Sequence, residues 1–109
     1  MAKRVKVVFT AAAKRDLKQI AAYLVDQVSP DFARKTVTEL GELAESLRQF
    51  PERGNVPKEL DDIGIHEFRQ LVRSPYRLFY HFADDTVAIL LIADGRRDIP
   101  ALLHQRLLK

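Results

Sequence analysis

The sequence predicts an α+β fold in which an N-terminal strand and an antiparallel helix hairpin pack on an antiparallel β-sheet (β-α-α-β-β-β), with a short C-terminal helix. Three observations carry that expectation. Two amphipathic helical stripes are separated only by Ser29-Pro30; three strand-like runs after Gly64 are separated by gaps too short for a crossover; and 109 residues suffice for one core and not two. Residues 1–109 are therefore read as a single domain.

Val5, Val7 and Phe9 alternate with Lys6 and Val8, the period of 2 expected of a strand with one apolar face. Thr10 stands where an N-cap belongs, and Ala11-Ala12-Ala13 supplies strong helix formers, so a helix should begin there. Along it Leu17, Ile20, Ala21 and Leu24 recur at i, i+3, i+4 and i+7 and lay one apolar stripe toward a core. Ser29-Pro30 ends that helix and starts another, because the residue before proline avoids the helical region while proline suits the first helical position. The second stripe holds Ala33, Val37, Leu40, Leu43, Ala44 and Leu47, and Phe50-Pro51 closes it. Helices joined this tightly are antiparallel neighbours whose shared apolar side needs a sheet to cover it.

Residues 51–64 hold Pro51, Gly54, Asn55, Pro57 and Gly64 among charges without a sustained period, which is loop chemistry. Ile65–Arg73, Tyr76–Phe82 and Thr86–Ala93 then read as strands, rich in aromatic and β-branched residues and joined at Ser74-Pro75 and Asp84-Asp85. In the middle run Tyr76, Leu78, Tyr80 and Phe82 point one way and Arg77, Phe79 and His81 the other, which makes it the central strand with one face on the helices. The run from Val87 to Ile92 is apolar on both faces. Asp94-Gly95 turns the chain, and Asp98 can cap a short helix with Pro100 in its first turn and Leu102, Leu103 and Leu107 as its apolar side.

Composition narrows the function classes. With 47% hydrophobic and 30% charged residues the chain is neither disordered nor fibrous, and no apolar run approaches the ~20 residues of a membrane span. The start lacks the apolar stretch of at least about 7 residues that an export signal needs, and zero cysteines fit a reducing cytosol, so a cytoplasmic location is expected. The same absence rules out disulfides and a thiol nucleophile. Net charge is only +3, yet arginine dominates the second half of the chain, and its planar fork suits phosphate and carboxylate partners.

Among groups that carry chemistry, His66, His81 and His104 lack the spacing that would bring two of them to one ion, so no metal is expected. Nothing resembles a Gly-rich phosphate loop, a nucleophile elbow or a catalytic carboxylate pair, so no cofactor is expected either. Asp84-Asp85 occupies the commonest place for turn residues. Arg69 and Arg73 share a strand face by parity and Arg77 follows the next turn; with Arg96 and Arg97 after the last strand, they are expected to converge at one end of the sheet as an anion-binding set. The competing reading is scattered surface pairs with Glu67, Asp94 and Asp98.

The element order, together with Tyr76-Arg77-Leu78-Phe79-Tyr80 followed by Asp94-Gly95-Arg96-Arg97-Asp98, resembles the RelE/ParE superfamily of toxins from bacterial type II toxin–antitoxin modules, over essentially the whole chain. That superfamily contains ribosome-dependent mRNA endonucleases (RelE-like) and inhibitors of DNA gyrase (ParE-like) on one fold, so the site must separate them. The nuclease branch implies a tyrosine or His-Tyr pair near the end of the last strand, and that place falls here at Gly95-Arg96, neither of which can act as a neutral base. A second nuclease arginine would fall near Gln70-Leu71, with Arg69 or Arg73 as substitutes after a one-residue slip, and His81 or Tyr80 as stand-in acid/base groups. The Gly95-Arg96-Arg97-Asp98 element instead is similar to the ParE-like ending, which implies a non-enzymatic protein without catalytic residues that binds gyrase, in a module of the kind that stabilises plasmids. The resemblance also implies a cognate antitoxin folded over the toxin along the helix hairpin and sheet edge. Arg69, Arg73, Arg77, His81, Arg96, Arg97 and His104 are the expected partner-facing residues. A toxin fold without toxicity, binding only an antitoxin or nucleic acid, is the third reading.

Overall fold

Hydroxyl and carboxylate caps start each long helix where the sequence places them. In the computed structural model, which describes residues 4–108, strand β1 (Lys6–Phe9) passes directly into α1 (Ala11–Gln27). Thr10 Oγ1 accepts the Ala13 N–H at 3.1 Å and donates to the Ile89 carbonyl at 3.0 Å, tying the start of α1 to the sheet. Ser29 Oγ accepts the Phe32 N–H at 3.0 Å and Pro30 opens α2 (Pro30–Glu45), which tightens into a 3₁₀ turn at Ser46–Arg48.

Residues 51–64 are not loop throughout, because Pro57 opens a single helical turn, α3 (Lys58–Asp61), whose Leu60 is buried. One apolar residue in four gives no period to read, so this element was invisible in the pattern. The turn also shortens the strand that follows: the Ile65 N–H is taken by the Leu60 carbonyl at 2.9 Å, and β2 begins only at Phe68 (Phe68–Arg73). Strands β3 (Tyr76–Ala83) and β4 (Thr86–Asp94) complete the antiparallel meander. Asp84 and Asp85, with φ of 53° and 57°, form the mirror-image turn that suits the twist of a tight hairpin. Helix α4 (Ile99–Leu107) is capped by Asp98, whose Oδ1 accepts the Ala101 N–H at 3.2 Å. No helix of the described residues is long and apolar enough to cross a membrane.

The sheet order is β1-β4-β3-β2: the meander is antiparallel as expected, and β1, whose pairing the sequence does not assign, lies parallel to β4, with Val7 beside Val87 and Phe9 beside Ile89. Short gaps fix the direction of the meander only; β1 reaches its neighbour after the helix hairpin and two strands, a connection long enough for parallel pairing. The hairpin covers one face of the sheet over Leu40, Leu47, Leu78, Tyr80, Val87, Ile89 and Ile92. On the other face α4 and α3 cover Phe79, Leu91 and Ala93 with Leu60, Ile99 and Leu103. Fully burying a leucine such as Leu40 or Leu78 stabilises the fold by roughly 2 kcal/mol. Opposite Phe79 and Tyr80 the ladder slips, since Phe79 pairs with Leu91 and Tyr80 with Ile89, leaving Leu90 as a β-bulge.

Candidate functional site

The bulge is where sheet and helices exchange polar groups. It takes the Ile92 N–H and the Leu90 carbonyl out of the strand ladder, and each meets a side chain: Asp16 Oδ2 accepts Ile92 N–H at 3.0 Å and Arg106 Nη1 donates to Leu90 O at 2.9 Å. Arg106 and Asp16 also join by two parallel bonds of 2.9 and 3.0 Å, linking α4 to α1 across the end of β4. Those bonds hold the Arg106 guanidinium above its ordinary pKa.

Beside this clamp a groove opens between α1 and the ends of β3 and β4. One part of it is a cleft of about 380 Å³ lined by Asp16, Gln19, Ile20 and Tyr23 of α1, Tyr76, Ile92, Ala93 and Asp94 of the sheet, and Arg96 and Arg97 of the turn after it. A second hollow of about 340 Å³ shares Tyr23, Tyr76, Asp94 and Arg96 and continues past Val28, Phe32, Lys35, Glu39 and Arg73. Tyr23, Val28 and Phe32 are 63%, 58% and 46% exposed, an apolar wall of the kind that marks an interaction surface. The three carboxylates along it are engaged already: Asp16 with Arg106, Glu39 with Arg73, Asp94 with Arg96. Arg96 bonds both oxygens of Asp94, at 3.0 and 2.6 Å, and holds that carboxyl below the usual range. The side chains of Arg97 and Lys35 have no hydrogen bond or ion pair among the described residues, so the free charge of the groove is positive.

The predicted residues divide between the faces of the sheet instead of converging. Cross-strand neighbours share a face, and Arg77 pairs with Val72 while Tyr76 pairs with Arg73. Arg69 and Arg73 therefore stand on the hairpin side with Leu71, and Arg77 stands on the α4 side, over the Phe79 ring at 5.0 Å. There Arg77 grips Glu59 of α3 through bonds of 2.7 and 2.9 Å and donates to Gln70 Oε1 at 2.7 Å, which pulls the Glu59 carboxyl below its ordinary pKa. Arg69 donates to the carbonyls of Gly54 and Glu52 at 2.7 and 3.2 Å, fixing the loop before α3. Of the scattered pairs the sequence offered, Arg96–Asp94 forms, whereas Asp98 caps α4. Arg73, Arg96 and Arg97 line the groove. Arg69, Arg77, His81 and His104 do not; His81 packs against the Phe68 ring on the α4 face, centroids 5.9 Å apart, and His104 is an exposed residue of α4.

Tyr80 is fully buried, with its hydroxyl accepting the Gly54 N–H at 3.0 Å and donating to Pro51 O at 2.8 Å, and burial pushes its pKa up. The third histidine, His66, sits 2.8 Å from Asp61. No group of three or more His, Asp or Glu side chains among the described residues could hold a metal ion.

Sequence reading missed Asp16, Gln19, Tyr23, Lys35 and Tyr76 as groove residues. A signal was present for part of the set: Asp16, Gln19, Ile20 and Tyr23 recur at i, i+3, i+4 and i+7, a second stripe on α1 beside the purely apolar one.

The family model for the ParE toxin of type II toxin-antitoxin system, parDE, matches residues 7–99. Among solved structures, the chain is similar to one in the chromosomal ParDE TA system from P. aeruginosa, at 22% identity and a TM-score of 0.69, with 84% of this chain and 96% of that one covered. It is also similar to a chain of the toxin–antitoxin complex RelBE2 from Mycobacterium tuberculosis, at 23% identity and a TM-score of 0.62, with coverages of 86% and 94%. These likenesses concern the fold. No curated protein sequence matches the chain.

Proposed function

The chain belongs to the ParE toxin family of type II toxin–antitoxin systems, and from that premise we propose that it acts by binding: it inhibits DNA gyrase and is held inactive by a cognate antitoxin seated in the groove beside α1. The observation that carries the reading is the groove itself, an exposed apolar wall whose carboxylates are all neutralised from within and whose free charges, Arg97 and Lys35, are cationic. Such a surface suits an acidic, amphipathic segment, which would bury Tyr23, Val28 and Phe32 and offset the excess charge.

Binding is favoured over RNA cleavage by the state of Tyr80 and His81, the two stand-in acid/base groups the sequence offers. General acid/base work needs a group within hydrogen-bond reach of substrate. The Tyr80 hydroxyl is buried and doubly bonded, and His81 packs against Phe68 on the α4 face, outside the cleft that Arg96 and Arg97 line. Arg96 and Arg97 are positioned at an exposed turn, where they can meet phosphate or carboxylate groups of a target without donating or removing a proton.

A supercoiling assay tests the reading. Purified protein in molar excess should abolish gyrase supercoiling and leave cleaved DNA behind, and addition of the antitoxin should restore activity. Intact supercoiling together with new 5′ ends on ribosome-bound message would replace it with the RelE-like alternative, ribosome-dependent mRNA cleavage.

A further inference from the structure

The end of the groove beside Asp16 and Arg97 is not apolar throughout. At about 380 Å³ the cleft is at the lower limit of cavities that accept a ligand group, and Ile20, Tyr23 and Ile92 form its apolar walls. Tyr76 also lines it, only 9% exposed, and its hydroxyl has no hydrogen-bond partner among the described residues. No fully buried side-chain polar atom among those residues lacks a partner, so this hydroxyl keeps its access to water, and the cleft provides it. Tyr80, on the same face of the same strand, is the opposite case, with its hydroxyl engaged on both sides. Burial and the nearby Asp94 carboxylate both keep the Tyr76 proton on, so the group is available as a donor. No hydrogen bond joins it to Asp94, whose carboxylate takes the guanidinium and backbone N–H of Arg96.

We propose that Tyr76 is a specificity-determining residue: the cleft takes an apolar side chain from an acidic antitoxin segment that also brings a hydrogen-bond acceptor to the Tyr76 hydroxyl and a carboxylate to Arg97. An occupant that covers the hydroxyl without an acceptor strips it of water and leaves a buried donor unmade, whereas one that carries the acceptor keeps the bond. Two segments of equal hydrophobicity are thereby told apart, the wrong one by a penalty and not only by a missing contact. The sign of the partner's charge follows from the groove, where Asp16, Glu39 and Asp94 are each paired internally and Arg97 is not. The inference rests on the reading of this groove as the antitoxin seat.

The test is a binding titration of the full chain, as wild type, Tyr76→Phe and Arg97→Glu, against the antitoxin encoded by the neighbouring reading frame, with thermal unfolding of each free protein alongside. Tyr76→Phe should weaken binding about tenfold while the free variant melts no lower than wild type, since the lost hydroxyl has no internal partner. Arg97→Glu should weaken binding by about tenfold or more, and by more at low salt than at high salt. Unchanged affinity of Tyr76→Phe, or a free variant that melts lower, overturns the inference and leaves the antitoxin reading in place. Wild-type protein that does not bind this antitoxin removes both.

Discussion

Two arginines flank α4 and have opposite surroundings. Arg106, in its last turn, meets Asp16 through two parallel bonds and the Leu90 carbonyl through a third. Arg97, just before its cap, makes no side-chain hydrogen bond or ion pair among the described residues, acts on Asp94 only at a distance, and lines the cleft beside α1. The guanidinium is the same; what differs is whether the fold delivers a carboxylate to it. Asp16 comes from the far end of the chain, so nothing in the local sequence of either arginine distinguishes the clamp from the free cation. Arg77 and Arg69 resemble Arg106 in bonding within the fold, and of the predicted arginines Arg73, Arg96 and Arg97 line the groove.

The sharpest way to break this comparison is to remove the carboxylate. Asp16→Ala leaves the Ile92 N–H without its acceptor and Arg106 without its carboxylate, and a denaturant titration should show a loss of about 3 kcal/mol; a loss below about 1 kcal/mol would mean that α4 and the bulge hold without the clamp. Next in size is the loop that Arg69 fixes. A Cβ at Gly54 would meet Gln70 O at 2.6 Å and the Tyr80 hydroxyl at 2.7 Å, both immovable, so Gly54→Ala should destabilise by about 2 kcal/mol in the same titration.

A smaller effect, with a pH signature, belongs to Glu59. Its pKa is depressed in the folded state by the hydrogen bonds from Arg77, so its contribution is fully present above the unfolded carboxyl pKa of about 4.3 and is lost as pH falls through the folded value. Glu59→Gln should therefore melt below wild type at neutral pH, by about 1 kcal/mol in stability, and the gap should close in acid; a gap constant from pH 7 to about 3 would refute the assignment. The smallest change in stability is expected at Arg97, where Arg97→Ala should stay within about 0.5 kcal/mol of wild type while weakening antitoxin binding. A large loss of stability there would erase the distinction between clamp and free cation.

Much of the fold was legible because its determinants are local. Thr10, Ser29-Pro30 and Asp98 start helices by hydrogen bonds that span three residues, and the meander follows from gaps of two residues between β-rich runs. Determinants that lie far apart were not legible. The parallel seat of β1, the bulge at Leu90 and the helical turn at Lys58–Asp61 each depend on partners elsewhere in the chain or on a pattern too short to register. Of the seven residues expected to face a partner, Arg73, Arg96 and Arg97 line the groove, and Arg69, Arg77, His81 and His104 stand elsewhere on the described surface. Parity along one strand was read correctly for Arg69 and Arg73; the face of Arg77 depended on the cross-strand register, in which it opposes Val72.

By itself the sequence determined the order and kind of the main elements, and a family whose members carry this order, because caps, turn residues and periodicity act over a few residues and survive being read one at a time. Tertiary structure alone decided which charges are available. Whether a guanidinium is buried in a clamp or left at the surface depends on what the packed chain brings to it, and Asp16 and Glu59 reach Arg106 and Arg77 only once the helices and sheet have packed.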